Sequence, residues 1–184
     1  MLAEEALKAG AEVPFRRPAE LASDTAGSWA VVCHAVEMLE KDGYTPDYVV
    51  LLQPTTPFRR REHIDALFAL MLESGSRSGL TIRPSDYPPQ WMFWRSPDGR
   101  LTRLFAEGAS IRRRQDARVA WQPNGLIYIV ERALLSPDLS LPFADSATLP
   151  MAWEDSINID AYWQYQLAEI LWPSSAAKGS RHAE

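Results

Sequence analysis

The chain has 184 residues, 46% of them hydrophobic and 23% charged, with a formal net charge of −5. That is the composition of one globular domain large enough to bury a core, and the negative balance counts against a general nucleic-acid binder, which carries a basic face. A single cysteine, Cys33, excludes an internal disulfide framework and fits a reducing cytoplasm, and no apolar run approaches the ~20 residues of a membrane span.

Residues 1–9 read as the end of a helix, or equally as a frayed short helix, stopped by Gly10 and without the layout of a signal peptide. Trp29, Val32, Cys33, Val36 and Leu39 then recur at helical spacing. Asp24 or Thr25 is the candidate cap of that helix, and Gly43 its end. Residues 48–52 are wholly apolar, the pattern of a strand buried on both faces of a parallel sheet. The next helix carries Ile64, Leu67, Phe68 and Met71 on one face, and residues 79–83 form a strand closed by Pro84. Helix, strand, helix, strand predicts an α/β fold with a mostly parallel sheet and flanking helices.

Residues 84–121 break that rhythm with Pro84, Pro88, Pro89 and Pro97 and with Trp91, Phe93 and Trp94. Strands near 91–95 and 101–105, joined at Pro97-Asp98-Gly99, predict a hairpin, followed by the basic run Arg112-Arg113-Arg114. This stretch reads as a β-rich insertion into one domain spanning residues 1–172. Residues 126–130 resume the core as an apolar strand. A last helix over about 160–172 is stopped by Pro173, and the small, polar residues 173–184 read as a disordered tail.

Gln53 stands where a strand ends, the place where open α/β sheets bind ligands. Arg59, Arg60 and Arg61 crowd the start of the next helix, against its dipole. Either they meet an anionic ligand or they are solvated. Ser23, Asp24, Thr25 and Ser28 surround another helix start, as plain caps or as receivers of a base or phosphate. Glu154, Asp155, Asn158 and Asp160 offer oxygen ligands for Mg²⁺, or else Asp160 caps the last helix and the others are solvated. His34, His63 and His182 are isolated, which leaves no visible triad or zinc set.

Six stretches, in order, carry a resemblance. They are Gly10-Ala-Glu-Val-Pro-Phe15, Arg17-Pro-Ala-Glu-Leu-Ala-Ser-Asp-Thr25, Leu51-Leu-Gln-Pro-Thr-Thr-Pro57, Arg113-Arg-Gln-Asp116, Asn124-Gly-Leu-Ile-Tyr-Ile129 and Asp155-Ser-Ile-Asn-Ile-Asp160. Together they resemble the N-acylneuraminate cytidylyltransferases, or CMP-sialic acid synthetases. The resemblance implies a Rossmann-like fold that forms a cytoplasmic homodimer through an inserted arm, here residues 84–121. It implies transfer of CMP from CTP to a nine-carbon 2-keto (nonulosonic) sugar acid, with release of pyrophosphate and with Mg²⁺ as cofactor, and neither nucleic acid nor membrane as partner.

Carried over by position, Arg17, Ala26 and Ser28 resemble the nucleotide-recognising set. Gln53, Asn124 and Tyr128 resemble sugar-pocket residues, and Arg114 the arginine that reaches the neighbouring subunit's site. Asn158 and Asp160 occupy two positions that are metal-binding, catalytic aspartates in the family. Gln122 stands where some members have arginine. The family also places a strand and a basic, glycine-rich phosphate loop ahead of the first shared stretch. The chain shows no counterpart, so the resemblance implies an N-terminally truncated member lacking its first strand and phosphate loop. The alternative it leaves is a catalytically dead remnant that binds nucleotide or sugar weakly, or only dimerises.

Overall fold

The computed structural model describes residues 2–23 and 25–179, with side chains as far as Trp172. Asp24, one of the two candidate caps, lies outside the described residues, as do residues 180–184. In chain order the longer elements are α1 (Leu2–Lys8), α2 (Ser28–Lys41), β1 (Tyr48–Leu51), α3 (Arg61–Ser74), β2 (Ser78–Pro84), β3 (Phe93–Arg95), β4 (Leu101–Arg103), β5 (Trp121–Glu131), β6 (Ala147–Pro150) and α4 (Tyr162–Gly179).

The α/β class holds, but the sheet is mixed rather than mostly parallel. Its strand order is β1-β5-β2-β6. β5 runs antiparallel to both β1 and β2, and only β2 and β6 pair in parallel. The reason lies in the connections. The chain reaches β5 from β2 through the irregular excursion over residues 84–121, not through the helical crossover that a parallel neighbour needs. β5 therefore returns alongside β2 in the opposite sense and separates β1 from it.

The core lies between this sheet and α3. Leu67 and Met71 of α3 meet Leu126, Ile127 and Ile129 of β5, with Ala147 and Met151 beside them. Gly79 of β2 permits the close approach: a Cβ there would stand 2.8 Å from Met71 Sδ. A smaller cluster of Phe58, Ile157 and Ala168 seats α4. α2 is tied to the sheet end by a two-pronged ion pair, Arg132 Nε to Glu40 Oε1 at 2.7 Å and Nη2 to Oε2 at 3.0 Å.

Two helix ends differ from the sequence reading. α2 starts at Ser28 behind Gly27, with no side-chain cap from Thr25 or any other described residue. α4 continues past Pro173 to Gly179. Proline removes one backbone donor to the preceding turn, and the helix continues past it here. Within residues 84–121, β3 and β4 form a separate two-stranded sheet, exposed along its length. No helix among the described residues is long and apolar enough to cross a membrane.

Leu67 is fully buried beneath the sheet. Leu67→Ala is expected to lower the stability of the folded chain by about 2–5 kcal/mol through lost burial and a residual cavity, measured by urea denaturation. A smaller loss would mean that α3 can collapse into the space.

Candidate functional site

Two adjoining clefts open where β1 ends. The larger, about 420 Å³, is bounded by Gln53, Arg83, Asn124, Tyr128, Trp153, Asn158, Asp160 and Trp163. The smaller, about 290 Å³, lies between the first turn of α2 and the loop over residues 139–141, and is bounded by Ser28, Trp29, Gln53 and Tyr128. Gln53 and Tyr128 belong to both and form the wall between them.

That wall is held from several sides. Trp29 meets the Tyr128 ring edge-on, with centroids 6.2 Å apart, and burial pushes the Tyr128 phenol above its ordinary range. Gly125 adopts φ +75°, and a Cβ there would fall 2.5 Å from Gln53 Oε1. Glycine at 125 therefore meets both a backbone and a space requirement. The loop after Gln53 is tied down by Arg59, whose Nη1 donates to the carbonyls of Gln53 (3.2 Å) and Leu126 (3.1 Å) and to Thr56 Oγ1 (3.1 Å).

The three arginines thus serve the framework. Burial pulls the Arg59 guanidinium below its usual pKa, and its Nη1 donates to the protein's own oxygens. Arg60 pairs with buried Asp155 through both prongs, at 2.8 and 3.0 Å. Arg61 pairs with Asp65 at 3.3 Å on the surface of α3. The charge order left an anionic ligand and solvent open for residues 59–61; Arg59 and Arg60 instead meet the chain's own oxygens, and Arg61 is exposed. The same Arg60 contact removes Asp155 from the acidic cluster that the sequence suggested for a metal.

Asn124 is buried, and its amide is largely committed. Its Oδ1 accepts from Thr81 Oγ1 at 2.6 Å and from the Leu126 N–H at 3.2 Å, while Nδ2 donates to Ser156 Oγ at 2.9 Å. It shapes the larger cleft by joining β2, β5 and the segment before α4. From that segment the Ile159 N–H donates to the Thr55 carbonyl at 2.8 Å, which fixes Asn158 and Asp160 against the Gln53 loop.

Asn158 Nδ2 donates to Asp160 Oδ2 at 2.7 Å, and Asn158 Oδ1 is buried without a hydrogen-bond partner. Gln164 Oε1 accepts the N–H groups of Asp160 and Ala161, both at 2.7 Å. Gln164, rather than Asp160, therefore caps the start of α4. An unpartnered buried amide oxygen beside a carboxylate suits a hard cation whose shell is completed by water or phosphate oxygens. Among the described residues no group of three or more His, Cys, Asp or Glu side chains is placed to hold a metal on its own.

Ser28 lines the smaller cleft at the uncapped start of α2. Arg17 is exposed on the approach to that helix and lines neither cleft, nor does half-buried Ala26. Arg114, in the excursion, is exposed and borders a separate cavity of about 130 Å³. The structure thus brings together Ser28, Gln53, Asn124, Tyr128, Asn158 and Asp160, but not Arg17, Ala26 or Arg114. Sequence reasoning missed Arg83, Asp86 and Trp153 in the larger cleft. The only signal for the first two was their spacing of three, Arg83 near the end of a strand and Asp86 just past it.

No family model matches the chain. It is 28% identical over 171 residues to a pseudaminic acid cytidylyltransferase of Campylobacter jejuni, covering 92% of this chain and 72% of that protein. It is 28% identical over 181 residues to a CMP-N,N'-diacetyllegionaminic acid synthase of Legionella pneumophila, covering 92% and 73%. An N-acylneuraminate cytidylyltransferase of Escherichia coli is 30% identical over 155 residues, covering 83% of this chain and 35% of that protein.

Gly125→Ala is expected to cost about 1–2 kcal/mol for the left-handed backbone and to displace Gln53 from the wall. Urea denaturation and the Gln53 side-chain amide signals in NMR report the two effects separately. Unchanged Gln53 signals would contradict the close approach.

Proposed function

We propose that this chain, a homologue of the sialic-acid-type cytidylyltransferases and by family a nucleotidyltransferase, transfers CMP from CTP to a nine-carbon 2-keto sugar acid and releases pyrophosphate in the cytoplasm. The observation that carries this reading is the shared wall: two clefts of substrate size meet at Gln53 and Tyr128. The smaller cleft takes the nucleotide. It ends at the first turn of α2, whose N–H groups meet no side-chain cap among the described residues and so favour an anion. Ser28 stands there, and Arg17 and Ala26 approach along the preceding loop. The larger cleft takes the sugar acid against Gln53, Asn124 and Tyr128.

In the reaction the sugar's anomeric hydroxyl oxygen attacks the α-phosphorus of CTP. The bond to pyrophosphate breaks, and the hydroxyl proton is lost. Asn158 and Asp160 lie beside the wall where the two substrates would meet, and they are the residues that would hold Mg²⁺. When bound, Mg²⁺ offsets the charge that gathers on the phosphate oxygens. What the protein itself supplies is mainly position: two reactants held across one wall lose much of the entropic barrier to meeting.

The reading extends to a homodimer. β3 and β4 expose Phe93, Trp94 and Leu101 on a two-stranded sheet, and an isolated hairpin is marginal without further packing. Pairing of the 84–121 excursions would cover those residues and carry Arg114 towards the neighbouring site.

A second reading, binding without turnover, is favoured by Asn158. Its amide oxygen can bind Mg²⁺ but brings no charge.

The test is pyrophosphate release from CTP and Mg²⁺ with pseudaminic, diacetyllegionaminic and N-acetylneuraminic acids in turn. Release above the sugar-free rate with at least one acid is expected. Calorimetric binding of CTP and an acid without release would select the second reading, and absence of both would contradict the proposal. Asn158→Asp is expected to lower the Mg²⁺ concentration for half-maximal release, or for half-maximal CTP binding, by roughly tenfold, in line with an added ligand charge.

A further inference from the structure

The larger cleft has an electrostatic peculiarity. Among the described residues that line it, Arg83 is the one cation, and Asp86 and Asp160 are anions. Its wall therefore carries one net negative charge, although the substrate proposed for it is itself a carboxylate. Arg83 is well sheltered, with 16% of its side chain exposed, whereas 48% of Asp86 is exposed.

Asp86 grips the guanidinium by both prongs, Nη1 to Oδ1 at 3.1 Å and Nη2 to Oδ2 at 2.9 Å. From the other edge Gln122 Oε1 accepts from Nη2 at 2.9 Å and from Nε at 3.2 Å. This is a planar fork presented to a carboxylate, the geometry in which arginine is most selective. The carboxylate now in the fork belongs to a surface loop. Arg83 is the dominant cause that holds Asp86 below the ordinary carboxylate range, and Trp153 and Arg114 lie near enough to act on it in the same direction.

We infer that Arg83 is the receptor for the sugar acid's carboxylate, and that Asp86 holds its place in the empty cleft and is displaced when the acid binds. The inference rests on the cytidylyltransferase reading and deepens it. The exchange swaps one two-pronged carboxylate for another, so no charge is left buried and unpaired. Gln122 stays on the far edge and keeps the guanidinium in plane during the exchange. A neutral analogue cannot release Asp86, which makes the site selective for acids over their esters.

The experiment compares binding of N-acetylneuraminic acid and its methyl ester by calorimetry or saturation-transfer NMR, using wild type, Arg83→Gln, Arg83→Lys and Asp86→Asn, with turnover measured alongside. Wild type is expected to prefer the acid by about 10- to 100-fold, the range of a charge-assisted pair. Arg83→Gln should abolish that preference through KM rather than kcat, and Arg83→Lys should keep part of it. Asp86→Asn, with the competing carboxylate gone, should bind the acid several-fold more tightly. If Arg83→Gln does not fold, the Asp86→Asn result decides, and unchanged or weaker binding there overturns the exchange. An Arg83→Gln protein that prefers the acid as wild type does overturns this assignment while leaving the cytidylyltransferase reading intact. A wild type that binds neither the acids nor CTP overturns both.

Discussion

One half-buried guanidinium organises the site. Arg59 joins two carbonyls and a hydroxyl that belong to the end of β1, the following loop and β5. Withdrawing a cation from water is costly unless its donors are met, and here a third carbonyl, that of Thr56 at 3.5 Å, makes four oxygens around one terminal nitrogen. Those acceptors cannot be satisfied unless the β1–α3 loop lies against β5. Gln53 thereby comes beside Tyr128, and the loop's Thr55 carbonyl receives the Ile159 N–H and draws in Asn158 and Asp160. The wall between the clefts and the oxygen pair beside it rest on the same contact.

A second polar junction completes the frame. Thr81, Asn124 and Ser156 link β2, β5 and the segment leading to α4 through buried hydrogen bonds. Buried polar groups are tolerated when they are paired, and a paired set allows few alternative arrangements. The chain spends its buried arginine, asparagine, threonine and serine on holding the cleft open and in shape. Among the described residues of the clefts it leaves Gln53 on the wall, the Tyr128 phenol, Asn158 Oδ1 and one oxygen of Asp160 uncommitted.

Much of the fold was legible because it follows from local periodicity. The apolar face of α3, the short apolar runs of β1 and β2 and the exposed hairpin of β3 and β4 all have spacings that identify them. The reading of β1 as a strand buried on both faces does not hold, because it lies at the edge of the sheet with Val50 exposed. Strand direction was not legible, because the sense of β5 depends on how residues 84–121 return to the sheet, and no local pattern records that. β6 escaped notice because Ala-Thr-Leu-Pro is too short for alternation to register. The arginines at 59–61 show the same limit within the site. Their crowding was visible, but charge order alone does not reveal that carbonyls, Asp155 and Asp65 are waiting for them. Gln53, Asn124, Tyr128, Asn158 and Asp160 were found through the motifs around them. Arg83 and Asp86 sit in no motif, and become a pair only when the end of β2 turns them towards the cleft.

The central claim is that one wall, Gln53 with Tyr128, separates two ligands that are meant to react. Indole N–H signals measure this most directly, because Trp29 lines the smaller cleft and Trp153 and Trp163 the larger. In separate NMR titrations, CTP should move Trp29 and a nonulosonic acid should move Trp153 and Trp163, while either ligand alone should move the Tyr128 ring. Both ligands moving the same tryptophans, or neither reaching Tyr128, would contradict the account.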